Sequence, residues 1–173
     1  NHIGQMTVMR LITWLMSVVL VVGLTGCLDW ASGTYRGDPI TSVEVFKKKR
    51  KMRLMAGTKV VREFEIALGF SPRGHKAVEG DGRTPEGRYY ITHRQPLSQF
   101  HLSLGISYPN AKDKAVARAM GKDPGGEIFI HGRNKYRSKN YGDWTEGCIA
   151  VTDRDMDYIF VAVTPKTPII IHP

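Results

Sequence analysis

After residue 41 the apolar residues of this chain come mostly in short runs that alternate with polar ones, broken at intervals by glycine or proline. Alternation at period two turns one face of an extended segment to a core and the other to solvent, so the chain is read mainly as strands. Ser42 to Phe46 alternates, Met52 and Leu54 resume the pattern after the basic run Lys47 to Lys51, and Val60 to Leu68 follows the break at Ala56 to Lys59. Arg88 to Thr92 is read as a further strand. Arg94 to Ser107 is read as another, with Phe100, Leu102, Leu104 and Ile106 on one face and His101, Ser103 and Ser107 on the other. Ile128 and Ile130 alternate with Phe129 and His131, and Ile169 to Ile171 forms a last core strand. Two short helices interrupt the series: Asn110 caps one over Ala111 to Met120, and Thr152 starts a second with Asp155 three residues on. The basic run is expected at the solvated tip or edge of a hairpin, where lysine discourages edge pairing. At 173 residues the expectation is one mainly β domain with a few short helices, preceded by a leader.

The stretch from Glu127 to Val151 carries the chemistry. Gly132 ends the strand that holds His131, a polar and aromatic loop runs from Arg133 to Glu146, and Gly147 then places Cys148 where the apolar run Ile149 to Val151 begins. A thiol is a weak nucleophile until it loses its proton, and a neighbouring imidazole can take that proton. Glycine before the cysteine lets a carbonyl carbon approach, and the Gly147 and Cys148 amides are candidate donors to a developing oxyanion. A buried structural cysteine beside a strand histidine is the alternative from these residues alone.

His131-Gly132, a loop, and then Thr145-Glu146-Gly147-Cys148 resemble the active-site signature of L,D-transpeptidases of the YkuD type, which act on bacterial peptidoglycan. Gly80 to Gly87 (GDGRTPEG) and Ile106 to Asn110 (ISYPN) are similar to further segments of that family, and the resemblance covers residues 42–173. It implies a β-sandwich-like catalytic domain, Cys148 as nucleophile, and His131 as general base and acid. Gly132 would orient the imidazole through its carbonyl, and Gly147 would supply an oxyanion-hole amide. Substrate contacts are sought at Thr145, Arg133, Trp144, Tyr141, Arg94 and His101. Two positions depart from the family pattern: Glu146 stands where histidine is frequent, and Ala150 where a basic or amide residue is common. The implied reaction passes a stem-peptide acyl group from Cys148 to an amine. A hydrolase of the same fold and a silent wall-binding lipoprotein are the alternatives.

Residues 1–5 read as an upstream extension. Arg10, the apolar stretch Leu11 to Gly26, and Leu24-Thr25-Gly26-Cys27 read as a secretory signal ending in a lipobox, too short to span a bilayer comfortably. Cys27 is then the lipidation site, and residues 28–41 are a tether. The protein is expected at the periplasmic face of the envelope, on the outer membrane where the cell has one. If Cys27 is lipidated or removed, Cys148 is an unpaired thiol; a Cys27 to Cys148 disulfide is the other arrangement. Net charge is +9 and the leader carries only Arg10, so the remainder stays basic. Charge alone admits any polyanion, but no nucleic-acid motif accompanies it. The six histidines lack ligand spacing, so no metal or other cofactor is called for. The expected partners are peptidoglycan stem peptides and, through Cys27, a membrane, with the protein a monomer.

Overall fold

The alternating runs assemble into one mixed sheet, in a computed structural model that describes residues 34–133 and 142–173. Its eight strands are β1 (Ser42–Phe46), β2 (Lys51–Ala56), β3 (Lys59–Glu65), β4 (Gly87–Ser98), β5 (His101–Ile106), β6 (Phe129–His131), β7 (Ile149–Ala150) and β8 (Pro168–His172). They lie in the order β3-β2-β1-β8-β4-β5-β6-β7. The chain divides at Tyr35, and residues from Tyr35 onward form one compact unit. The long strand β4 joins the two halves of the sheet: Gly87 to Tyr90 pair with β8, and Ile91 to Ser98 pair with β5. Val43, Val45, Met52 and Leu54 from the first half share one core with Leu104, Ile130 and Ile149 from the second.

Helix α1 (Ala111–Ala119) begins where Asn110 accepts from the Lys112 and Asp113 amides, while Asp113 returns a bond to the Asn110 amide. Helix α2 (Asp153–Ala162) starts at Thr152, whose side chain accepts from the Asp155 N–H, and buries Met156 and Ile159. Both follow the expected caps. The segment Arg94 to Ser107, read as one strand, instead folds back on itself: β4 runs to Ser98 and β5 begins at His101. His101 takes φ +75°, and this tight reversal falls where the alternation of Phe100, Leu102, Leu104 and Ile106 begins.

A second difference lies in the basic run. Lys47 is only 2 % exposed, and its ammonium donates to Gly74 O at 2.6 Å, Thr84 O at 2.8 Å and Glu86 Oε1 at 2.8 Å. Burial pulls its pKa below the ordinary lysine range, against which Glu86 pushes back. Arg50 grips Asp143 with Nε at 3.0 Å from both carboxylate oxygens. Strand alternation carries Lys47 inward after Val45, and its three donors are then satisfied by the turn-rich segment that crosses β1. These two cations tie distant loops to the sheet rather than decorating a hairpin tip.

Removing the Lys47 ammonium strands Glu86 and two carbonyls. K47M is expected to lower the unfolding free energy by about 3 kcal/mol. Urea denaturation checks this, and the double variant K47M/E86L is expected to recover part of the loss.

Candidate active site

β6 and β7 pair in parallel, with Ile130 opposite Ile149 and His131 opposite Ala150. This register sets Cys148, one residue before β7, beside the strand that carries the histidine. Cys148 and His131 line one cleft of about 430 Å³ together with Gln95, Ser98, Ser103, Glu127 and Phe129. Phe129, Glu127 and Ser103 come from β6, its entry and β5, so the sheet itself forms much of the wall.

The turn into Cys148 is closed by buried Thr145. Its hydroxyl donates to Cys148 O at 2.7 Å and accepts from the Gly147 N–H at 3.2 Å. Its main chain is fixed as well, since Thr145 N–H donates to Leu68 O at 3.1 Å and Phe70 N–H donates to Thr145 O at 2.8 Å. Gly147 takes φ +136°, and a Cβ there would lie 2.7 Å from Arg83 O. Only glycine fits. The same turn changes the expectation for the oxyanion: the Gly147 N–H points at Thr145 Oγ1, whereas the Cys148 N–H carries no such bond among the described residues.

His131 is 4 % exposed, with Nδ1 2.6 Å from Gly132 O. A carbonyl only accepts, so Nδ1 holds the proton and the Nε2 lone pair is the basic one. Phe100 stacks on the imidazole at 4.7 Å between centroids, and Trp144 meets it edge-on at 5.7 Å. Burial lowers the His131 pKa, partly opposed by the bond to Gly132. Cys148 is a free, partly accessible thiol whose sulfur is 3.4 Å from the donating Phe129 N–H and 3.5 Å from Glu127 O. Burial pushes its pKa up to about 11; the Phe129 N–H and Lys76 oppose that shift, while Glu127 and Glu146 add to it. At neutral pH the resting pair is therefore thiol and neutral imidazole, not thiolate and imidazolium.

The remaining expected residues separate by position. Arg94 directs its guanidinium at Val163 O (2.9 Å) and Val161 O (3.2 Å), so it caps the end of α2 and does not face the cleft as a carboxylate contact. His101 lies at the β4–β5 reversal with Nε2 2.6 Å from Asp157 Oδ1. Arg133 follows β6; its N–H donates to Asp153 Oδ1 at 2.6 Å, and its buried Nε has no hydrogen-bond partner among the described residues. Trp144 packs on His131. Tyr141 and Cys27 lie outside the described residues.

Sequence reasoning missed the support around the pair. Phe100 was visible only as one apolar member of a strand. Asp81 accepts from the Ala77, Val78 and Arg83 N–H groups and from Lys76 Nζ, and so shapes the GDGRTPEG segment. Thr84, in that segment, accepts from the Gly69 N–H at 3.1 Å, and Gly69 bridges to Thr145. Among the described residues no group of three or more His, Cys, Asp and Glu is placed to hold a metal ion.

A family model described as YkuD, L,D-transpeptidase catalytic domain, matches residues 40–171. No curated protein matches the chain. Among solved structures, the chain is similar to the helical cell shape determining protein Pgp2 (K307A mutant) from Campylobacter jejuni, at 26 % identity and TM-score 0.64 over 80 % of this chain and 48 % of that one. Bd1075 from Bdellovibrio bacteriovorus has 24 % identity and TM-score 0.56, over 78 % of this chain and 48 % of that one. An L,D-transpeptidase from Xylanimonas cellulosilytica, at 15 % identity and TM-score 0.52, covers 80 % of this chain and 63 % of its own, and shows the shared fold alone. The chain thus spans about half the length of the first two proteins.

A thiol with its pKa raised stays protonated through neutral pH and ionises only as pH climbs toward about 11. Alkylation of Cys148 by iodoacetamide at pH 7 is expected to be slower than that of free cysteine, on the order of a hundredfold. Its rate should keep rising through pH 10; a plateau near pH 7 would instead indicate a preformed ion pair.

Proposed function

The chain belongs to the YkuD family of L,D-transpeptidase catalytic domains, and on that premise we propose that it is a cysteine acyltransferase that remodels or cross-links peptidoglycan. The observation that carries this reading is the shared cleft of Cys148 and His131, with the imidazole held in one tautomer by Gly132 O. As Sγ attacks the amide carbonyl after the third residue of a stem peptide, its proton passes to His131 Nε2. The carbonyl oxygen gains charge opposite the Cys148 N–H. Collapse breaks the C–N bond, the leaving amine takes the proton from Nε2, and a thioester remains on Cys148. An incoming amine then gives its proton to Nε2, attacks the thioester carbon, and releases the thiol as sulfur is reprotonated.

Starting from a neutral pair has a kinetic meaning. No resting thiolate needs to be held in a buried site, and the proton moves only as the S–C bond forms. Arg133, with its buried and unbonded Nε, is the proposed contact for a substrate carboxylate. The Leu24-Thr25-Gly26-Cys27 sequence supports export and lipid anchoring at Cys27, which would hold the domain against the wall from the periplasmic side.

Incubation with disaccharide tetrapeptides should add a disaccharide-tripeptide acyl mass to Cys148 and release one D-alanine. C148S should give no thioester, and H131A should slow its formation about 10²- to 10⁴-fold. Cross-linked dimers among the products mark transfer, whereas shortened stems alone mark hydrolysis. Unmodified Cys148 with no D-alanine released overturns the proposal. Because the His131 pKa is lowered, its base form persists as pH falls past the ordinary histidine value, so the acid limb of thioester formation should lie below about pH 6.5.

A further inference from the structure

Among the described residues that line the cleft, Glu127 is the sole Asp, Glu, Lys or Arg. That is unexpected in a chain of net charge +9. Its carboxylate enters no ion pair among the described residues, and Glu127 is exposed. A second carboxylate, on exposed Glu146, lies on the other side of the sulfur in sequence, and both raise the cost of a thiolate at Cys148. Among the described residues, Glu127 and Glu146 act on the sulfur against the single cation Lys76, and only Glu127 lines the cleft.

Glu127 also holds an uncommon backbone conformation, φ +54°. Two residues earlier the chain meets the same demand with Gly125, at φ +72°, which adopts it without strain. A side chain at 127 is retained against a conformational cost, and such outliers concentrate where geometry serves a ligand. The conformation sets the Glu127 main-chain oxygen 3.5 Å from Sγ; Glu127 lines the cleft, and its carboxylate lies near enough to act on the Cys148 thiol. Since the atom facing sulfur is the main-chain oxygen, the carboxylate is not the base that takes the thiol proton.

We propose that the Glu127 carboxylate recognises a primary ammonium group on the stem peptide and thereby selects amine-bearing peptides at the Cys148 cleft. This rests on the reading of Cys148 as the acyl-carrying residue. The cleft offers the ammonium Glu127 as its ionic partner, and the amide and hydroxyl groups of Gln95, Ser98 and Ser103 as uncharged neighbours. A charge-assisted hydrogen bond at such a lip discriminates a cation from its neutral acetylated form by about tenfold. The ammonium can belong to the peptide that acylates Cys148 or to the one that accepts the acyl group.

Two arms separate these sources. In the first, intact-protein mass spectrometry follows thioester formation from a tetrapeptide stem whose side-chain amine is free or acetylated. In the second, wild-type acyl-enzyme and acyl-enzyme of E127Q are offered acceptor peptides that carry, besides the attacking amine, a second amine either free or acetylated. Wild type should favour the free amine by about tenfold in one arm, which identifies the source. E127Q, which keeps the side-chain length, should reduce that ratio to near one, and E127D should restore part of it. A thioester that forms with no preference in either arm, or a preference that E127Q retains, overturns the proposal while leaving Cys148 as the nucleophile. If no stem peptide acylates Cys148 at all, the reading of the cysteine falls and this proposal with it.

Discussion

One hydroxyl governs the geometry of the candidate site. Thr145 Oγ1 donates to the Cys148 carbonyl and accepts from the Gly147 amide, closing the turn that delivers sulfur to the cleft. A buried hydroxyl used in both directions fixes the turn because losing either bond leaves a main-chain polar group without a partner. Thr145 is itself held by main-chain bonds to Leu68 and Phe70. Sulfur position is thus tied to the segment that follows β3.

That segment is anchored in turn by charges drawn inward. Asp143 accepts from the Leu68 N–H and is gripped by Arg50, while Lys47 gathers Gly74, Thr84 and Glu86. Buried ionic groups seldom stabilise a fold more than apolar side chains of similar size would. They do fix which loops meet, because a misplaced loop would leave a charge unpaired. Around Cys148 the arrangement is different: a thiol and an imidazole, both neutral, sit among aromatic and main-chain groups.

The strands, both helix caps and the placing of His131 and Cys148 in one cleft were legible because each depends on local pattern. Period-two alternation marks β1, β2 and β5; Asn110 and Thr152 carry their caps in the sequence; and the His131 and Gly147-Cys148 signature marks the family by residue type. The reversal at Ser98 to His101 was not legible, because no glycine, proline, asparagine or aspartate stands within it to mark a turn. The roles of Lys47 and Arg50 were hidden for another reason. A run of five basic residues has the composition of a solvated tip, and only the third dimension shows which cations find oxygen atoms. Arg94 was misread in the same way, since its partners are carbonyls at the end of a helix far along the chain. The Gly147 amide was expected to face an oxyanion, an expectation that overlooked the hydroxyl two residues before it.

The neutral pair and the Glu127 carboxylate of the cleft fit together physically. A preformed imidazolium would attract Glu127 and Glu146 and would leave less negative potential for an incoming cation. With His131 uncharged, Glu127 keeps its negative field in the cleft, where a positive peptide group can meet it. The same field opposes a free thiolate, so ionisation of Cys148 is favoured only in step with proton transfer to Nε2 and bond formation to carbon. Burial is the main cause of the raised thiol pKa, and Glu127 and Glu146 add to it; the same Glu127 charge that disfavours an idle thiolate favours a cationic substrate.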